Sequence, residues 1–350
     1  MTMKKLKTGL SGLGRVGWPF HFPQLVKKEG FELKAVVDMQ DDRLAEAKEK
    51  APDIHCYKDF NKMIEEEDLD LVVIASPTGF HYEQLKKAFE SGVDVFLEKP
   101  MAMDLAEADK MIALKNQYGR KLMVYQPHRK FAHTVKAKEI IDSGILGDIY
   151  MIKHETSLFR FRSDWQSLKK YGGGMVNNYG AHFIDLLLYL SNSTKAVDIN
   201  CHLRRIASVG DADDVVKLVM LSDNNTILDL DINCAAATSN KQLIVYGNYG
   251  TLWLDKGSRV LNVKHFDPTK TQGFTIDESL AAAGRKYDFI GEPPWEEEEI
   301  PLAGCKEVDY YEKCYEYFAL DQKPFVDVSE TREVMRIIQE CKDQSDIWRA

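Results

Sequence analysis

Two short stretches carry residue types that can do chemistry together. Gly12-Leu13-Gly14-Arg15-Val16-Gly17 has the spacing of a loop that holds a dinucleotide pyrophosphate, and Glu98-Lys99-Pro100 sets one amine just behind an apolar run. In such a loop the first glycine permits the tight turn, the second lets backbone approach a phosphate, and the third lets helix and strand pack closely. Amides at the start of the following helix face the anion. Asp38 closes the next apolar run, 21 residues after Gly17. A carboxylate there accepts hydrogen bonds from both hydroxyls of an adenosine ribose and repels a 2′-phosphate, so NAD is the expected cofactor. Met39 brings no positive charge for such a phosphate, whereas Arg43 is near enough to help one, which keeps NADP as the alternative. Ser76-Pro77-Thr78, with His81 soon after, belongs to a strand-end loop of the kind that lines the crevice of an open parallel sheet. Thr78 serves equally as a helix N-cap, and His81 equally as a packing residue.

Pro100 disfavours helical backbone at Lys99, so this lysine is expected to be extended, near the nicotinamide of a cofactor lying across the strand ends. A free lysine has a pKa of about 10.4; burial and a cationic neighbour lower it toward about 7 to 8, where a general base is useful. A third stretch runs from Gly172-Gly173-Gly174 to Asp185. Three glycines bring backbone close to something. Asn178 and His182 stand four apart and share one helix face, and Asp185, three further on, is expected to orient the imidazole. Histidine already titrates near neutrality. Lys99 is therefore the first choice of base and His182 its partner. Asn178 would bind a neighbouring hydroxyl, and Arg160, Arg162, Trp165 and His128 are candidate pocket residues.

The elements that must position these groups alternate in the first third of the chain. Apolar runs at 7–11, 34–38, 71–75, 94–97 and 121–125 read as strands. Helices lie between them, one from about Gly79 to Glu90. Another starts at Asp104 with a capping box to Glu107 and stops at Gly119. Strands alternating with helices predict an α/β fold, an N-terminal Rossmann domain with a doubly wound parallel sheet. After about residue 150 the pattern changes. Leu228 to Cys234 alternates apolar and polar, and Val215–Leu221, Lys241–Tyr246 and Thr251–Leu254 read as further strands of a large, open, mostly antiparallel sheet in an α+β domain. Residues 257–300 show no steady period and read as short strands and loops, with Glu296–Glu299 a solvated surface. A last amphipathic helix runs from about Glu330 to Trp348. The expected domains are 1–127 for the dinucleotide and 128–350 for substrate and oligomerisation.

A length of 350 residues allows about two such domains. The net charge of −9 comes with no cluster of Lys and Arg, which argues against nucleic acid. No apolar run is long enough to span a bilayer, and the start lacks a secretory pattern, so a cytoplasmic protein away from the membrane is expected. The six cysteines show no CxxC spacing, which speaks against zinc or any metal centre and against a disulfide framework.

Taken jointly, GLGRVG with Asp38, Glu98-Lys99-Pro100 and the G-x-H-x-x-D stretch at His182 and Asp185 resemble the Gfo/Idh/MocA family of NAD(P)-dependent oxidoreductases over nearly the whole chain. The resemblance implies a catalytic lysine at Lys99, a catalytic histidine at His182, and substrates among sugars, cyclic polyols and their derivatives. It also implies self-association, as dimer or tetramer, through the open sheet. Many members have an aspartate where this chain has Asn178, which cannot take a proton, so proton traffic should fall on Lys99 and His182. Two alternatives share the fold: an NAD-dependent glycoside hydrolase that oxidises C3 transiently, and a cofactor-binding regulator that catalyses nothing.

Overall fold

The computed structural model describes residues 4–271, Ile276, Glu278 and 291–349. Six strands, β1 (Leu6–Ser11), β2 (Phe31–Val37), β3 (His55–Tyr57), β4 (Leu71–Ile74), β5 (Asp94–Leu97) and β6 (Leu122–Val124), form one sheet. Its order is β3-β2-β1-β4-β5-β6, and every pairing is parallel. β4 is wholly buried, as a continuous Leu-Val-Val-Ile run between two helical layers must be. The strand order reverses beside β1, and this switch point opens a crevice at the carboxyl ends of the strands. The glycine loop follows β1, Asp38 follows β2, the Ser76 loop follows β4 and Lys99 follows β5. One sheet edge therefore gathers all four.

The second sheet has eight strands: β7 (Ile149–Ser157), β8 (Ala196–Arg204), β9 (Val215–Ser222), β10 (Ile227–Asn233), β11 (Lys241–Gly247), β12 (Gly250–Asp255), β13 (Val260–His265) and β14 (Glu296–Pro301). Its order is β14-β13-β12-β11-β7-β10-β9-β8, antiparallel except for the β7–β10 pair. The alternation in β10 sorts as expected. Leu228, Leu230 and Ile232 are fully buried against the helices, while Asp229 and Asp231 face the other way and pair with Lys217. Helices Ala181–Leu190 and Val328–Asp343 cover the inner face.

Several expectations shift. The short β3 adds a strand, so Lys99 follows the fifth. Glu296–Glu299 is solvated, yet it is the edge strand β14, with Lys264 against Glu297 at 2.7 Å. Charged side chains of this kind keep an edge from pairing with other chains. The helix after Asp104 is capped by that carboxylate on Glu107 N (2.8 Å), but Glu107 reaches back to Met103 N (2.7 Å), one residue beyond the expected partner. The last helix starts at Val328, ends at Asp343 and resumes as Asp346–Arg349. Most of 272–290 lies outside the described residues. The helix Tyr310–Leu320 falls within the stretch expected to form the second domain, but it packs on the first sheet. Tyr310, Tyr311, Cys314 and Phe318 bury themselves around Phe96 of β5. Among the described residues no helix is long and apolar enough to cross a membrane, and all six cysteines are free.

Candidate active site

The three glycines of the loop are required for different reasons. Gly12 has φ +92°, and a Cβ there would lie 2.7 Å from Ala75 O; a Cβ on Gly17 would lie 1.8 Å from Gly12 O. A Cβ on Gly14 would meet nothing nearer than Arg43 Nη1 at 3.8 Å. The first and third glycines thus serve the protein's own packing, and the second leaves an open cradle. That is the fit a pyrophosphate needs. Gly17→Ala is expected to cost about 1–3 kcal/mol through overpacking and to weaken coenzyme binding with it. Thermal denaturation and coenzyme titration check both; an unchanged melting temperature would contradict the packing argument.

Asp38 braces this cradle. Its Oδ2 accepts from Leu13 N (2.8 Å), its Oδ1 from Gln40 N (3.0 Å), and Arg43 Nη1 lies 3.3 Å from Oδ2. Met39 is exposed. Arg15 reaches across the crevice to pair with Asp164 of the second half. The Ser11 and Ser76 hydroxyls both donate to Gln84 Oε1, tying two strand-end loops together. Thr78 is not a cap: it is the first residue of a short 3-10 turn whose N-cap is Pro77, and its side chain makes no capping bond.

Two polar residues of the strand-end stretches, His81 and Glu98, turn inward. His81 is 1% exposed, with its ring nitrogens on the carbonyls of Ser76 (3.0 Å) and Met101 (3.3 Å), so it clamps two loops from behind. The Glu98 carboxylate is also buried. It accepts from His21 Nε2 (2.7 Å) and from Lys99 N (3.1 Å), and Tyr311 hydroxyl meets His21 Nδ1 (2.7 Å). That chain locks the glycine-loop helix, the end of β5 and the returning helix Tyr310–Leu320 into one body. Buried polar groups need such partners, and here they fix the backbone on which Lys99 stands.

Lys99 Nζ donates to Asn178 O (3.1 Å) and to Asn178 Oδ1 (3.0 Å). Asn178 sits on one π-helical turn, Val176–Gly180, that leads into the helix carrying His182. Burial draws the Lys99 amine down from 10.5 to about 8; Glu98 opposes the shift and Arg162 adds to it. Burial holds His182 well below 6.5, and the Lys99 charge pushes the same way. At neutral pH the site therefore pairs an amine able to lose a proton with an uncharged imidazole.

Asp185 does not orient His182. Both its oxygens are taken by Arg129, Nε at 2.8 Å and Nη2 at 2.6 Å, with the two side chains 1% and 3% exposed. Burial pushes the carboxyl up and the guanidinium opposes it. For Arg129, burial disfavours the charge, but Asp185 and Glu330 outweigh it and keep the guanidinium protonated. The three glycines likewise approach the protein itself. A Cβ on Gly174 would strike Asp213 Oδ1 at 2.3 Å, and Asp213 Oδ2 accepts from Val176 N (2.8 Å) at the head of the Asn178 turn.

Arg160 and Arg162 project from the extension of β7 into a cavity shared with Met175 and Tyr179. Trp165 opens the short turn Trp165–Ser167 and is half-buried. His128 lies with its ring centroid 4.6 Å from that of His182. Sequence reasoning missed Arg129, Asp213 and His21. Their partners are 56, 37 and 77 residues away, and no local pattern announces such pairs.

Residues 6–126 match the family model of the Gfo/Idh/MocA oxidoreductases with an NAD-binding Rossmann fold, and residues 134–253 match the model of their C-terminal domain. The chain is 26% identical over 202 residues to an NADP-dependent scyllo-inositol 2-dehydrogenase of Bacillus subtilis, covering 57% of this chain and 56% of that one. It is 28% identical over 206 residues to a D-glucoside 3-dehydrogenase of Escherichia coli, covering 58% of each. The matched stretch thus spans less than two thirds of those relatives' length. Among solved structures, an NAD-binding protein from Listeria innocua superposes with a TM-score of 0.80 at 20% identity, covering 97% of this chain and 95% of that one. With both family domains matched in order along one chain, and the cradle and the Lys99 group set at one sheet edge, the protein belongs to the Gfo/Idh/MocA oxidoreductase family.

Proposed function

We propose that this protein is an NAD(P)-dependent dehydrogenase acting on a hydroxyl-bearing carbon of a sugar, cyclic polyol or glycoside. One observation carries the reading: a half-buried amine, tuned to about 8 and held on Asn178, stands at the same sheet edge as an open glycine cradle. When bound, the nicotinamide coenzyme supplies the hydride acceptor. Gly12 to Gly17 hold its pyrophosphate and Asp38 its ribose; Arg43, already beside Asp38, is the residue that would admit a 2′-phosphate. Lys99 takes the hydroxyl proton, His182 shares that proton, and the Asn178 amide holds a neighbouring hydroxyl. Arg160 and Trp165 border the substrate. The family fold and the inositol and glucoside dehydrogenases among the relatives support this substrate class. The outer face of the eight-stranded sheet, with Val219 and Ile227 exposed on it, supports a homo-oligomer.

The deciding experiment is an absorbance screen at the reduced-nucleotide band over inositols, hexoses and glycosides with each coenzyme. Accumulating reduced coenzyme is the expected result. Release of an aglycone without it would mark a hydrolase, and binding without turnover across the panel would mark a regulator. The pH profile gives a second check. Lys99 acts as base only when deprotonated, so kcat/KM for oxidation should rise with pH through about 8 and level off above it. A profile flat between about pH 6.5 and 9 would remove an amine of that pKa from the rate equation.

A further inference from the structure

With Asp185 bound to Arg129, His182 lacks the partner that its spacing promised. Its Nδ1 is buried with no hydrogen bond, while Nε2 is not sealed off. Two other imidazoles nearby are in the same condition: His154, both of whose nitrogens are buried and unpartnered, and His128, whose ring lies directly beside His182. His128 Nδ1 is buried and unpartnered, and the two ring centroids lie 4.6 Å apart with the planes at 56°. His128 belongs to the short turn Pro127–Lys130 just after β6. Its position is fixed on both sides: the next residue, Arg129, clamps Asp185 one helical turn beyond His182, and Phe183 and Phe131 pack edge-on against its ring at 4.9 and 5.3 Å. A buried nitrogen without a partner is costly, and two of them on adjacent rings can satisfy each other.

We propose that His128 is a positioning residue, accepting a hydrogen bond from His182 Nδ1–H and so fixing the tautomer whose Nε2 lone pair is open to the substrate crevice. The inference rests on the dehydrogenase reading above for its purpose, but not for its geometry. As the rings stand the two Nδ1 atoms are not bonded to each other, so the hydrogen bond requires one ring to turn about χ2. A neutral imidazole carries one N–H, and in water it prefers to carry it on Nε2, the wrong atom for accepting a proton from substrate. Both rings are held neutral: burial takes His128 down to about 3 and holds His182 well below 6.5, and the Lys99 charge works in the same direction on each. His154, stacked on Phe183 at 3.9 Å, is a further uncharged imidazole in this group, and Lys99 is a cation that acts on both rings of the pair.

The test uses the full chain with 15N-labelled histidine, read by two-bond proton–nitrogen correlation, with the His182 signals assigned through His182→Gln. In the parent protein His182 should show the Nδ1–H pattern. In His128→Leu it should revert to Nε2–H, and kcat should fall about tenfold or more while the coenzyme KM stays put. His128→Asn, whose amide oxygen sits near the place of Nδ1, should keep the Nδ1–H pattern and most of kcat. A parent protein with His182 in the Nε2–H form overturns the proposal, as does a Leu variant that keeps the Nδ1–H pattern. If the Leu variant does not fold, the parent and Asn spectra decide alone. Failure of the dehydrogenase reading would appear separately, as a parent protein with no turnover and an unaltered tautomer pattern.

Discussion

Lys99→Met should bind coenzyme as the parent does and lose turnover by about 10²- to 10⁴-fold, the range assigned to a positioned acid–base group. Methionine matches the lysine stem in length and volume, so the pocket behind β5 stays filled. The change deletes an amine whose charge burial already disfavours, and it leaves Asn178 O and Oδ1 without their donor. Asn178 is half-buried, and water can replace that donor. The glycine cradle and Asp38 belong to other strand ends and are untouched. Coenzyme titration and steady-state kinetics on the same preparation separate the two effects. Near-normal turnover would remove Lys99 from the chemistry, and lost coenzyme binding would show that its role is in holding the cradle.

The crevice residues were legible in the sequence because a doubly wound sheet turns order along the chain into position. Any residue just after a strand arrives at the same edge, so Gly12, Asp38, Ser76 and Lys99 converge without knowledge of a single long-range contact. Elements carrying weak periodicity were not legible. β3 has three residues and two of them are exposed, and β7 places Lys153, His154 and Glu155 in succession, which blurs the alternation. The direction in which a polar side chain faces was legible least of all. His81, Glu98 and Asp185 have the types and spacing of site residues, yet each is turned inward by partners elsewhere in the chain, from Met101 to His21 to Arg129. Spacing shows which residues share a face, but it does not show what packs against that face. The helix Tyr310–Leu320 crosses back to the first sheet for the same reason: its aromatics meet Phe96, more than two hundred residues earlier.

Asp185→Asn should destabilise the fold by about 3 kcal/mol or more, because it leaves a buried guanidinium without its bidentate counter-charge. Arg129 is 3% exposed and has its ring-facing side over Tyr189 at 4.8 Å, so it cannot turn to water. Among the described residues Glu330 is the carboxylate left within reach, 3.1 Å from Nη2, but it is partly exposed and its other oxygen accepts from Asp327 N in the cap of the helix Val328–Asp343. It can soften the loss without replacing a carboxylate that contacts both Nε and Nη2. Replacing both partners together, Arg129→Met with Asp185→Leu, should recover much of the loss, since no charge is then stranded. Urea denaturation midpoints at constant slope measure each step. The same variants discriminate between the two roles Asp185 was open to. If it anchors the turn that carries His128 rather than the His182 ring, Asp185→Asn loses stability first and keeps kcat in proportion to the folded fraction. A variant as stable as its parent but much slower would return Asp185 to the imidazole and leave His128 without a task.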